Sequence, residues 1–287
     1  MKKWSVDLPH ITEKQKEIMS LIHKFRFLDR IQIQTLMKHK DYKRINIWLK
    51  DLVSKDYLYR IYERKIPLNI KPAVYFLAPT GVRFVRNFGD WESNHKLYRE
   101  KERSEQFKNK CLSIANLYID TLQKTEQLNT LNFFKTKQDL NEYDEIITPY
   151  PDALISLNRG PTKIIKFLKK QEKSKNSITT KQRKLKQKNP KEYLYFLEMI
   201  REKTPRFYLR YRIQQYIEYS DRQGPVEIKS YVLFSCPNHI TEKFLLKFIK
   251  KRLEETLFEP HLLFFITTTD QLQNNGIFAS IWKKAEA

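Results

Sequence analysis

The chain is poor in glycine, with five among 287 residues. Neither a GxGxxG nor a GxxxxGK(S/T) fingerprint can be written from them. Loops that cradle phosphate need glycine, because the backbone must come close to the anion. Dinucleotide-binding and nucleotide-hydrolysing classes are therefore not expected. The two cysteines, Cys111 and Cys236, stand far apart and match no metal-ligand spacing, which points to a reducing compartment or ordinary core use. No apolar run approaches the ~18 residues of a membrane span, and the opening MKKWSVDLPHITEKQ carries no apolar signal-peptide core. The expected location is the cytoplasm, with no membrane partner. The six histidines (His10, His23, His39, His95, His239, His261) form no HxH or HExxH. Relaxase and zinc-hydrolase chemistries are thus unsupported.

Positive charge is abundant. Lys and Arg number 55 against 33 Asp and Glu, a formal charge of +22. Such an imbalance favours a polyanionic partner, with nucleic acid foremost and an anionic membrane second. Codon usage in an AT-rich genome is the plainer source of lysine. Hydrophobic residues make up 40% of the chain, including 18 Phe and 16 Tyr. That is enough to pack cores, and the length suits about two domains.

Residues 12 to 25 have a helical pattern. Thr12 is placed to cap, with Gln15 three residues on, and Ile18, Leu21, Ile22 and Phe25 share one face. Asp29 is placed to cap a short second helix that buries Ile33, Leu36 and Met37. Residues 41 to 55 give a third helix with Ile45, Trp48, Leu49, Leu52 and Val53 inside. The period then changes to alternation in YLYRIYERK, breaks at Pro67, Asn69 and Pro72, and resumes in VYFLAP, with Gly81 read as a turn. Three helices followed by a hairpin is the order of a winged helix, expected over residues 1–90. Its third helix would enter the major groove. Tyr42, Lys43, Arg44, Asn46, Ile47 and Lys50 would face the bases, with Lys43 or Arg44 donating to guanine and Asn46 pairing with adenine. Arg60, Arg64, Lys65 and Lys71 in the wing would meet phosphate. No carboxylate stands between Tyr42 and Lys50. Protein contact through the same face is the competing interpretation.

Residues 92 to 128 read as one charged helix, part of a connector at 91–130, with Leu112, Ala115, Leu117, Ile119 and Leu122 on its apolar side. This side is a candidate for packing on the second domain, for dimerisation, or for both. Residues 131–287 alternate strand and helix. Strands are expected at 131–135, 151–157, 193–200, 229–236 and 262–268. A helix capped by Thr204 with Pro205 at its first position follows the third of these, and another follows the fourth. The fold class is α+β or mixed α/β: an N-terminal winged helix and a mixed-sheet domain. Residues 159–192 carry thirteen cations against two carboxylates, Glu172 and Glu192. This stretch is too polar to fold alone and reads as a mobile arm or basic insertion. Lys181, Arg183, Lys184, Lys186 and Lys188 would contact DNA phosphates without sequence preference. A merely solvated loop is the alternative.

Asp152 and Glu198 each sit on an expected strand beside apolar residues. Paired carboxylates at neighbouring strand ends are a way to hold Mg²⁺ and activate water against a phosphodiester. The Asp, then Glu-x-Lys arrangement belongs to restriction-endonuclease-like nucleases. Here the last position is Ile200, which leaves Arg201 or Lys203 as the nearest basic groups. A non-catalytic core with two structural carboxylates is the other interpretation.

The order of these parts, YFLAPTGVRFV, then PDALI, YFLEMIREKTP, RFYLRYRIQQYIEY and FASIW, resembles the replication-relaxation protein family of plasmids and other mobile elements. Pro151-Asp152-Ala153 and Phe196-Leu197-Glu198 match its strand motifs, with Thr204 near the expected place and Arg210, Tyr211 and Tyr216 in the helix. The acidic residue usually found two beyond the glutamate is Ile200 here, and the basic insertion is longer than expected. The resemblance implies a restriction-endonuclease-like second domain and a role in replication or DNA relaxation on a mobile element. Double-stranded DNA would be the partner, together with replication or transfer proteins. A Mg²⁺-dependent nickase using Asp152, Glu198 and Lys203 and a winged-helix transcriptional repressor remain the alternatives.

Overall fold

The computed structural model describes residues 8–62, 71–88, 97–126, 129–142, 146–158, 192–223, 229–255 and 262–286. Among these it contains eight α-helices, a small antiparallel sheet and a mixed six-stranded sheet. They group into two compact units, which divide within one helix, after Ile119. None of the described helices is long and apolar enough to cross a membrane.

The first unit runs α1 (Glu13–Phe25), β1 (Leu28–Asp29), α2 (Arg30–Leu36), α3 (Tyr42–Ser54), β2 (Leu58–Ile61), β3 (Val74–Leu77) and α4 (Pro79–Phe88). The expected capping box at Thr12 forms, and the Asp29 cap proves to be a box as well. Thr12 accepts from the Gln15 amide while the Gln15 side chain accepts from the Thr12 N–H, and Asp29 and Gln32 repeat the exchange. Each satisfies two backbone donors that a helix start leaves orphaned. Ile18, Ile22, Ile33, Ile45, Leu49 and Leu52 are fully buried. Leu21, Leu36, Trp48 and Val53 are only half-buried. The sheet has the order β1-β3-β2, with Leu28 opposite Tyr75 and Leu58 opposite Leu77. Strand β1 was not anticipated, because two residues carry no readable alternation.

Gly81 stands in the first turn of α4, where an added Cβ would stand 2.2 Å from the Tyr57 carbonyl oxygen and 2.9 Å from Met19 Cε. Its role is close packing of the helix against the backbone just before β2. The expected single helix over 92–128 is corrected. A 3₁₀ turn at Leu97–Glu102 precedes helix α5 (Glu105–Glu126). Arg26 and Arg103 converge on the buried Glu100 carboxylate of that turn, which is a tertiary constraint invisible to periodicity. The buried side of α5 is Cys111, Ile114, Ala115 and Leu117, whereas Leu112, Ile119 and Leu122 are half-buried.

The second unit is built on β4 (Leu131–Thr136), β5 (Ala153–Leu157), β6 (Tyr193–Met199), β7 (Lys229–Cys236), β8 (Leu262–Thr268) and β9 (Lys283–Lys284), which follow one another across the sheet. β4, β5 and β6 pair antiparallel, β6, β7 and β8 pair parallel, and β9 closes antiparallel. Helices α6 (Arg206–Gln223) and α7 (His239–Glu255) form the two crossovers that parallel neighbours require. Leu209, Ile213 and Tyr216 of α6 and Leu245 and Ile249 of α7 bury one sheet face made by Leu154, Phe196, Val232, Phe234 and Phe264. Pro205, not Thr204, holds the cap position of α6, since its carbonyl accepts from the Leu209 amide at 3.3 Å. Beyond the last expected strand the chain adds α8 (Thr269–Asn275) and β9.

Candidate functional site

Helix α3 starts at Asp41, whose Oδ1 accepts from the Lys43 amide at 2.8 Å. The spacing that buries Ile45, Leu49 and Leu52 turns Tyr42, Lys43, Arg44, Asn46, Ile47 and Lys50 to solvent, and all six are exposed. Tyr42 and Ile47 are 52% and 61% accessible, so this face is not packed against the protein's own body.

The two carboxylates that bracket the face are both engaged elsewhere. Asp41 is used as the cap. Asp51 Oδ2 accepts from Lys55 Nζ at 2.8 Å and from Gln15 Nε2 at 2.6 Å. The hydrogen bonds from Lys55 and Gln15 hold the Asp51 carboxyl below its ordinary range. Lys43, Arg44 and Lys50 have no ion-pair partner among the described residues. Arg30 adds a cation that sequence inspection missed, with its guanidinium 6.0 Å from the Tyr42 ring centre. Its position one residue after the Asp29 cap was the available signal.

On the hairpin, Arg60 and Lys71 are exposed, and the Arg60 guanidinium lies 5.8 Å from the Tyr62 ring centre. Arg64 and Lys65 lie outside the described residues, as do Lys181, Arg183, Lys184, Lys186 and Lys188 with the rest of the insertion up to 191. Glu192, at its end, is described: its Oε1 accepts from the Ser156 hydroxyl at 2.6 Å.

Asp152 and Glu198 do meet. Ala153 pairs with Leu197, so the preceding and following residues stand across from each other. Both carboxylates share the sheet face covered by α6, because side chains alternate along a strand and Leu154 and Phe196 point there. Asp152 Oδ2 accepts from the Met199 amide at 2.8 Å. One oxygen of Glu198 accepts from Arg212 Nε at 2.8 Å, Arg212 Nη2 at 2.5 Å and the Tyr216 hydroxyl at 2.7 Å. Burial pushes the Glu198 carboxyl above its ordinary value, with Arg212 pulling against it and Asp152 adding to the rise. Burial likewise raises the Tyr216 phenol, which keeps it a donor. Arg212 is the residue sequence inspection missed. An arginine on the buried stripe of a helix needs an anion, and Tyr216 one turn on completes the pair of donors.

The Arg212 guanidinium and the Tyr216 hydroxyl already occupy one Glu198 oxygen. No group of three or more His, Cys, Asp or Glu that could hold a metal ion occurs among the described residues. Lys203 and Arg201, the basic groups considered for catalysis, are exposed. No known family model, curated protein or solved structure matches this chain.

Proposed function

We propose that the chain binds double-stranded DNA through α3, with the β2–β3 hairpin alongside it. The observation that carries this reading is the outward face of α3. It combines Lys43, Arg44, Asn46 and Lys50 with two exposed apolar side chains, and the carboxylates at its two ends, Asp41 and Asp51, are each engaged in hydrogen bonds. A helix with its side chains matches the ~12 Å width of the major groove. Lys and Arg donate to guanine, Asn pairs with adenine, and an apolar side chain such as Ile47 suits a thymine methyl.

The order α1-β1-α2-α3-β2-β3, with β1 paired to β3, supports reading the first unit as a winged helix. Arg60 and Lys71 then act as wing contacts to phosphate. The second unit is read as a restriction-endonuclease-like fold whose carboxylate pair is structural, since Arg212 and Tyr216 hold Glu198. The resemblance to replication-relaxation proteins supplies the setting: a protein of a mobile element, acting in replication or DNA relaxation with replication or transfer proteins. We place it in the cytoplasm, with the apolar side of α5 as a candidate dimer surface.

Selection of bound sequences from random duplexes tests the proposal. Recovery of a preferred site by the wild type, and its loss with Lys43→Ala/Asn46→Ala, is expected. Equal recovery of unrelated duplexes by both proteins contradicts it. A palindromic site at a promoter assigns the same chemistry to transcriptional repression, while sites clustered at an origin assign it to replication.

A further inference from the structure

Phe207 is the most exposed large apolar side chain among the described residues, at 72% accessibility. On the same helix, Tyr211 is 60% and Tyr208 44% accessible. Phe207 and Tyr211 are one helical turn apart, about 6 Å along α6, and lie on the same side of it. The fold does not use them. The apolar stripe of α6 that builds the core is Leu209, Ile213, Tyr216 and Ile217.

The neighbouring surface is cationic. The guanidinium of Arg206 lies 5.0 Å from the Phe244 ring centre, and that of Arg210 lies 5.7 Å from both Phe244 and Phe248. Those two rings stack at 6.1 Å. With Lys247 and Lys251 they line a concavity of about 390 Å³. Arg206, Arg210 and Lys247 have no carboxylate partner among the described residues, whereas Lys251 and Arg252 share Glu255.

We propose that this surface, the first half of α6 with the adjoining side of α7, binds single-stranded DNA. Bases stack on Phe207 and Tyr211, and the backbone follows the concavity past Arg210 and Lys247. Base-on-aromatic stacking is tolerant of sequence because every base has a π-face. In a duplex those faces are covered by neighbouring bases, so exposed rings select the unpaired strand. A second copy of this chain is a poor occupant, because a two-fold contact would set this positive patch against itself. A membrane surface is disfavoured as well. An interfacial helix needs a continuous apolar face toward lipid, and that face of α6 is turned into the core.

The test measures anisotropy of fluorescein-labelled oligo(dT) with the full chain, beside a duplex control, oligo(rU) and phosphatidylglycerol vesicles. Phe207→Ala/Tyr211→Ala is expected to weaken oligo(dT) binding about ten-fold or more and to leave duplex affinity unchanged. Both side chains are solvent-exposed, so the variant folds, as circular dichroism will register. Phe207→Trp is expected to keep the affinity and to lose indole emission when oligo(dT) is added. The proposal is overturned if the double variant binds oligo(dT) like the wild type, or if single-strand and duplex binding fall together. It is also overturned if oligo(rU) or the vesicles bind more tightly than oligo(dT) through the same residues. A wild type that binds duplex but not oligo(dT) removes this proposal and leaves the α3 reading standing. Binding of oligo(dT) without duplex does the reverse.

Discussion

Arg212 donates twice to a single oxygen of Glu198, through Nε at 2.8 Å and Nη2 at 2.5 Å. The two side chains are only 4% and 16% accessible. Removing one member of such a buried pair strands the other charge, which costs ~3–5 kcal/mol. Arg212→Ala is therefore expected to lower stability by about that amount in urea unfolding at neutral pH. Arg212→Met combined with Glu198→Leu should recover much of the loss. A single variant as stable as the wild type would show that the pair contributes little.

The same pair bears on enzymatic activity. With a guanidinium seated on Glu198, supercoiled plasmid is expected to remain intact in Mg²⁺ or Mn²⁺. Nicking that disappears in Asp152→Ala or Glu198→Ala would make the carboxylates catalytic and reverse the structural assignment.

Glu242 gives a pH-dependent prediction. Its side chain is 1% accessible and lies 2.8 Å from His239 Nδ1 and 2.9 Å from Lys283 Nζ. Burial raises its pKa, but the hydrogen bonds from His239 and Lys283 outweigh that and hold it below the ordinary value. A depressed folded-state pKa means that the stabilisation is complete above the ordinary glutamate range and fades as pH falls through the folded value. Glu242→Gln should therefore be less stable than the wild type at neutral pH, with the gap closing on acidification in chemical denaturation. A gap that widens toward acid would contradict the assignment.

Gly81→Ala should lower the melting temperature through overpacking, which costs ~1–3 kcal/mol, because a Cβ there meets the Tyr57 carbonyl oxygen and Met19 Cε. An unchanged melting temperature in thermal unfolding would show that α4 shifts freely.

Local features were legible in the sequence. Thr12 with Gln15, and Asp29 as a cap, announce helix starts, and the i, i+4 and i+7 pattern of Ile45, Leu49 and Leu52 fixes which side of α3 faces out. Relationships made only by the tertiary fold were not legible. The cation that meets Glu198 comes from the helix after the strand. Gln15 reaches Asp51 from another helix, and Gly81 matters only because the Tyr57 carbonyl lies over it. Strand β9, the pair Lys283–Lys284, joins the sheet at its edge. Its two lysines are exposed, so it has no apolar alternation to read. The insertion at 159–191 lies outside the described residues, and its charge remains a sequence observation.

The central claim is tested most directly by titrating a selected duplex with Lys43→Ala and Asn46→Ala at several salt concentrations. Each variant is expected to lose ~1–3 kcal/mol of binding and to discriminate less against altered bases, with unfolding curves matching the wild type. Wild-type protein that ignores duplex DNA at low ionic strength, or variants that bind as tightly and as selectively as the wild type, would contradict the account.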